Sequence, residues 1–349
     1  MTGSGSMTSV SELQHTTGPI VLAGAGKMGG AMLTGWLAGG LDPARVVVIE
    51  PMPSAEITAL AARGIRLNPA APSPAEVVIV AVKPQMFREA GPALKPWVAD
   101  TTLVLSIMAG TTIASLQNVV GGAVVRAMPN TPAAIGRGIT VAVPASDVSA
   151  AQRALTDALL RATGAVEWVD DEALMDAVTA VSGSGPAYVF LLAEELARAG
   201  IAAGLPEALA TRLARDTVSG AGELLHRSEL SSATLRQNVT SPGGTTAAAL
   251  SVLMGPDGFQ PLLERAVAAA TARSKELATY SPRPPPSLPG LARQSIFLAK
   301  MFLVRRWMRG SSPRMTSLFD ARSRHLPHQA HYGTANRFLN CSTLISPRP

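Results

Sequence analysis

Six short runs of β-branched and aliphatic residues, at 19–23, 46–49, 77–82, 103–107, 123–126 and 139–143, punctuate the first part of the chain. Helix-like stretches lie between them. A strand that is apolar on both faces must be covered on both faces, so the alternation predicts an α/β domain, a parallel sheet with helices on either side. The first run, Pro19-Ile20-Val21-Leu22-Ala23, leads directly into Gly24-Ala25-Gly26-Lys27-Met28-Gly29-Gly30. In a strand–turn–helix of this kind the first glycine permits the tight turn. The second lets backbone approach a pyrophosphate, and the third allows close packing of helix on strand. The helix start then offers free N–H groups and positive dipole to phosphates. A glycine-rich turn alone is a weak signal, but here Glu50 closes the second run 21 residues after Gly29. A carboxylate so placed reaches a ribose 2′-hydroxyl. The pattern predicts a Rossmann-like dinucleotide-binding domain over 19–165 that uses Gly24, Ala25, Gly26, Lys27, Met28, Gly29 and Glu50.

Ligands of such sheets sit at the carboxyl ends of the strands. Two more strand ends therefore belong to the cofactor site: Ala81, Val82, Lys83 and Pro84 in one, Met108, Ala109 and Gly110 in the other. Taken alone, Lys83 also reads as a solvated loop lysine. Arg126-Ala127-Met128-Pro129-Asn130-Thr131-Pro132 crowds polar groups between two prolines. It reads either as a rigid turn or as a third contact, through Asn130.

Beyond about residue 165 the runs give way to Ala- and Leu-rich helical stretches at 186–200, 206–226, 245–253 and 257–278, two of them opening with proline at the first helical position. This predicts an all-helical domain over 166–280. Two glycine-rich breaks interrupt it, Ser182-Gly183-Ser184-Gly185-Pro186 and Ser241-Pro242-Gly243-Gly244-Thr245-Thr246. Each places unpaired N–H groups and hydroxyls at a helix start, a ready site for a carboxylate. The hydroxyls read equally as helix caps, worth about 1 kcal/mol each.

The formal charge of +6 would ordinarily point to nucleic acid or an anionic membrane, but its distribution removes that reading. Residues 281–349 carry eleven Lys and Arg against the single acid Asp320, a net of +10, whereas residues 1–280 hold 19 basic and 23 acidic groups, a net of −4. The same split leaves residues 1–280 without cysteine and with only His15 and His226. That excludes a disulfide framework, a thiol nucleophile and a metal site of ordinary ligand spacing. No apolar run reaches the length of a membrane span and the start shows no signal pattern, so a cytoplasmic protein is expected, with neither nucleic acid nor membrane as partner. Residues 1–18 read as a disordered lead-in; 281–349 read as a disordered extension, either non-native or an RNA- or membrane-binding arm through Arg305, Arg306 and Arg309.

Over about 19–278 the chain resembles the pyrroline-5-carboxylate reductase family. The specific segments are Asp176-Ala177-Val178 through Ser182-Gly183-Ser184-Gly185-Pro186-Ala187-Tyr188, and Leu235-Arg236-Gln237-Asn238-Val239-Thr240 through Ser241-Pro242-Gly243-Gly244-Thr245-Thr246. The resemblance implies a Rossmann domain and a helical domain that forms a homodimer, with a larger assembly of dimers open. It implies reduction of 1-pyrroline-5-carboxylate to L-proline with NADPH or NADH. It also implies a substrate site near the dimer interface built from Ser241, Gly243, Gly244, Thr245 and Thr246, with Glu229, Ser182 and Gly183. The Thr246 hydroxyl would reach the ring nitrogen. A protonated cyclic imine is already electrophilic at carbon, so a site without metal, cysteine or histidine suffices if it orients substrate and hydride donor.

Two rivals remain open. A β-hydroxyacid dehydrogenase-like enzyme would resemble its relatives in using a lysine of the second domain, and this chain has no lysine between Lys95 and Lys275. A non-catalytic dinucleotide-binding protein shares the first domain, but has no need of the Thr246 loop. The family commonly uses NADPH, whereas Glu50, with no arginine in 51–54, favours a free ribose 2′-hydroxyl and hence NADH.

Overall fold

The computed structural model describes Leu13 and residues 18–279. Eight strands form one sheet: β1 (Ile20–Ala23), β2 (Val46–Ile49), β3 (Arg66–Leu67), β4 (Val77–Val80), β5 (Leu103–Ser106), β6 (Ala123–Met128), β7 (Gly138–Pro144) and β8 (Gly164–Trp168). Their order is β3-β2-β1-β4-β5-β6-β7-β8. Neighbours are parallel throughout except β6 and β7, which pair antiparallel, Arg126 opposite Val143. The parallel sheet expected from the sequence is found apart from this one pair, whose direction has a reason of length. The connection over 129–137 has nine residues, and a parallel crossover needs a dozen or more. β8 runs to Trp168, past the domain boundary expected at 165.

Alternate residues of each strand face opposite sides, and the two sides collect separate cores. Ile20, Leu22, Val46, Val48, Ile79 and Leu105 pack with Met32, Leu33 and Trp36 of helix α1 (Lys27–Ala38), and with Leu159 from the helix Ala150–Arg161. Val21, Val47, Val78, Val80 and Val104 pack on the other face with Phe87, Leu94, Trp97 and Leu116. Trp36 is fully buried, and its Nε1 donates to Leu159 O at 2.8 Å. Leu13 joins the first core at 2% exposure, although it lies inside the segment expected to be a disordered lead-in. The rest of that segment, and the extension 281–349, lie outside the described residues.

The second half is helical among the described residues. Met175–Val178 runs through a π-turn, Thr179–Gly183, into Gly185–Ala202; then follow Glu207–Arg227, Ser232–Asn238, Thr245–Leu253 and Phe259–Thr279. Pro206 caps its helix rather than opening it, with φ −57° and ψ 139°. Ser232–Asn238 escaped the sequence reading; Ser231 caps it by accepting from Thr234 N. These helices bury little within one chain. Gly185–Ala202, Ser232–Asn238 and Thr245–Leu253 have no buried residue, and Glu207–Arg227 has only Ala210 and Ala214. Phe190 stands 69% exposed. Among the described residues no helix is long and apolar enough to cross a membrane.

Candidate active site

The turn after β1 is built by what its glycines lack. Gly24 has φ +95°, and a Cβ on it would lie 2.7 Å from Ala81 O; a Cβ on Gly29 would lie 2.1 Å from Gly24 O. Only bare backbone lets α1 settle this closely on the junction of β1 and β4. A Cβ on Gly26 would meet nothing within 4 Å, so that side of the turn is open. Gly26 is also the N-cap of α1 and supplies no capping side chain, which leaves first-turn N–H groups for a ligand. Ala25 is buried, Met28 half-buried and Lys27 exposed. These features fit a dinucleotide pyrophosphate.

Glu50 is fixed at the mouth of this turn. Its Oε2 accepts from Ala25 N at 2.9 Å and its Oε1 from Met52 N at 3.1 Å. Asn68 clamps its backbone, donating from Nδ2 to Glu50 O at 2.8 Å and accepting from Glu50 N at 2.9 Å. Asn68 has φ 48°, a left-handed conformation that asparagine tolerates better than most residues. The sequence reading missed it, because a lone Asn beside a two-residue strand carries no pattern.

The other strand ends behave as follows. Ala81 N donates to Ala23 O at 2.8 Å, which lays Ala81 and half-buried Val82 alongside the glycine turn. Lys83 is exposed and caps, with its backbone, the helix Pro84–Ala90. After β5, Ser106 Oγ accepts from Met108 N at 3.3 Å, Ala109 is half-buried, Gly110 turns with φ +69°, and Thr112 caps the helix Ile113–Val119 through Ser115 N. Ile113 N donates to Glu172 Oε1 at 2.9 Å, and Arg126 Nη1 donates to the same oxygen at 2.9 Å.

Asn130 joins the two halves. Its Oδ1 accepts from Ile139 N at 3.0 Å and its Nδ2 donates to Ser182 Oγ at 3.3 Å. Here the expected helix start is corrected. Ser184 N donates to Thr179 O at 2.9 Å, so the chain passes through a π-turn with no free N-terminus at Ser182. Ser184 is the N-cap of Gly185–Ala202 without a side-chain cap bond, and Ser182 lies within the π-turn. Gly183 faces the flexible end of Met128, whose Cε would lie 2.4 Å from a Cβ placed there. Ser274 Oγ donates to Asp176 Oδ1 at 2.6 Å and ties the last helix to this segment. π-turns inside helices are frequent at functional sites.

The 241–246 turn keeps its free helix end. Gly244 N donates to Ser241 O at 3.0 Å, and Gly243 has φ +70° with open space around its missing Cβ. Gly244 is the N-cap of Thr245–Leu253, without a side-chain cap. Thr245 is exposed and Thr246 half-buried, and neither hydroxyl has a hydrogen bond among the described residues. The alternative in which Thr246 caps the helix therefore loses its geometric basis. Glu229 is exposed in the link before Ser232–Asn238, where Leu230 N donates to Ser228 Oγ. Nothing described bonds the 241–246 turn or Glu229 to the nucleotide half.

Residues 172–277 match the family described as pyrroline-5-carboxylate reductase dimerisation, and residues 19–110 match NADP oxidoreductase, coenzyme F420-dependent. The pyrroline-5-carboxylate reductase of Pseudomonas aeruginosa is 42% identical over 270 residues, 75% of this chain and 98% of that protein. That of Pisum sativum is 37% identical, covering 73% and 94%. Among solved structures, the reductase of Coxiella burnetii shares 35% identity with TM-score 0.69, covering 75% of this chain and 99% of that one. The Plasmodium falciparum pyrroline carboxylate reductase with NADP bound shares 28% identity with TM-score 0.63, covering 75% and 98%.

Proposed function

The chain belongs to the pyrroline-5-carboxylate reductase family, and from this we infer that it reduces 1-pyrroline-5-carboxylate to L-proline with NAD(P)H, the last step of proline biosynthesis. The observation that carries the assignment is the conjunction of an uncapped glycine turn at Gly24–Gly29 with an uncapped helix end at 243–246 that bears an unbonded Thr246. NAD(P)H supplies the hydride. The chain's own residues do the rest. N–H groups at the start of α1 take the pyrophosphate, and Glu50 takes the adenosine ribose. Ala81, Val82 and Lys83 with Met108, Ala109 and Gly110 border the far end of the cofactor, and Asn130 holds Ser182 beside it.

The first-turn N–H groups that follow the N-cap Gly244 suit the substrate carboxylate. Thr246 Oγ1 hydrogen-bonds the ring nitrogen and orients the imine carbon toward the hydride, while Glu229 and Ser241 border the same pocket. Such orientation is worth several powers of ten in rate without any covalent step. The 172–277 match makes the helical half a dimerisation domain, and its unburied faces need a second copy. We place the 241–246 turn at that interface and the protein in the cytoplasm; assembly of dimers into a larger oligomer belongs to the same reading.

The test is oxidation of NADH and of NADPH followed in parallel with 1-pyrroline-5-carboxylate, and with a 3-hydroxy acid plus oxidised cofactor as the contrasting substrate. Turnover of the imine alone is expected. Activity on the hydroxy acid, or none on either, overturns the assignment.

A further inference from the structure

We propose that Glu172 is a positioning residue for hydride transfer, with Arg126 as its anchor; this rests on the reductase reading above. Arg126 lies on β6 in register with Ser106 of β5, and its side chain is 5% exposed. A guanidinium so enclosed must be paired, because an unpaired buried charge is costly. Its partner comes from outside the sheet. Glu172 follows β8 at the entry to the helical half, and its Oε1 receives Arg126 Nη1 at 2.9 Å.

The same oxygen receives Ile113 N at 2.9 Å. Ile113 is the first residue of its helix and closes the loop that carries Met108, Ala109 and Gly110. That loop turns at Gly110 in a left-handed conformation and leaves a strand end where a cofactor's reacting ring would lie. One carboxylate oxygen thus fixes three things relative to one another: a buried strand, the loop beside the reacting ring, and the segment leading to the π-turn with Ser182. The pyrophosphate end, at Gly24 to Gly29, makes no use of it. The device should therefore set the angle between hydride donor and imine while leaving cofactor affinity alone.

The experiment compares wild type with Glu172→Ala, which loses both bonds, and Glu172→Gln, which keeps an acceptor for Ile113 N but not the charge for Arg126. For Glu172→Ala, kcat per folded dimer should fall about tenfold to a hundredfold, with the KM for NAD(P)H within about threefold of wild type. The kinetic isotope effect with cofactor deuterated at the transferred position should rise, and amides over 107–116 should exchange with deuterium faster. Glu172→Gln should fall between. If Glu172→Ala does not fold, the same readouts on Glu172→Gln decide. Unchanged kcat, or unchanged exchange over 107–116, overturns the proposal. Loss of stability with normal turnover while folded overturns it as well. Should the wild-type protein fail to reduce the imine, the reductase reading falls, and with it the proposal.

Discussion

Asn130 donates its side-chain amide to the hydroxyl of Ser182 at 3.3 Å, and in doing so bonds the β6–β7 connection of the nucleotide half to the π-turn of the helical half. The second Asn130 bond, from Ile139 N, pins it to β7. Ser182 is thereby placed from the sheet side rather than by the helix it interrupts.

Removing that joint should be felt in both halves. Asn130→Ala loses two hydrogen bonds and Ser182→Ala one, so the double variant should be less destabilised than the sum of the singles. A coupling of about 0.5–1.5 kcal/mol is expected from urea unfolding of the four proteins. Strict additivity would mean the contact contributes nothing.

Thr246→Ala separates two roles. A lost cap costs about 0.5–2 kcal/mol of stability, whereas a lost bond to the reacting nitrogen lowers turnover about tenfold per 1.4 kcal/mol. Gly244 is the cap here, so the melting midpoint should stay within a few degrees. Turnover should drop about ten- to a hundredfold with cofactor affinity unchanged. Early melting with normal turnover would return the hydroxyl to a structural role.

Cofactor choice tests the proposed role of Glu50. Both its oxygens already accept backbone N–H groups, which holds negative charge at the mouth of the glycine turn. A 2′-phosphate meets repulsion there, and a free 2′-hydroxyl finds an acceptor. NADH should be used well, and Glu50→Ser should shift the ratio of kcat/KM values toward NADPH. Loss of the two backbone bonds should also lower the melting point. An unmoved ratio would clear Glu50 as the discriminator.

Glu223 offers a pH test. A hydrogen bond from Arg227, aided by one from Arg137 and opposed by partial desolvation, holds its carboxyl below the ordinary value of 4.5. A depressed carboxyl stabilises the folded state above its unfolded value, and that contribution disappears as pH falls through the folded one. The melting-point gap between wild type and Glu223→Gln should be present at neutral pH and close in acid below about pH 4.5. A gap that persists in acid would assign the effect to packing.

Truncation after Tyr280 removes the basic extension. The dimerisation match ends at residue 277, so dimerisation and turnover should survive intact. A truncated protein that is monomeric or inactive by light scattering and assay would give the extension a role.

The nucleotide half was legible because its strands are apolar on both faces; β2 spans 46–49 as read, and β4 begins at Val77 as read. Arg66–Leu67 was invisible, since two residues carry no period. The antiparallel turn of β7 was missed because composition does not encode direction, although the shortness of 129–137 does. In the helical half, Thr245–Leu253 was found to the residue. The π-turn was not, because Ser-Gly-Ser-Gly is the usual punctuation of a helix start, and the bond from Ser184 N to Thr179 O that continues the chain leaves no mark in composition. Glu172 and Asn68 each act through a pair of hydrogen bonds to residues distant in sequence, which leave no local signature.

Phe190, Leu192 and Leu196 remain uncovered on a helix that buries no residue in its own chain. Covering them is a meeting of two molecules, so the stability of this half depends on how often they meet. The midpoint of thermal or urea unfolding should climb with protein concentration. Refolding should end in a second-order phase. The sheet, both of whose faces are filled from its own chain, has no such dependence. Dilution alone should therefore act as a selective denaturant, loosening the helical half while the nucleotide half stays folded.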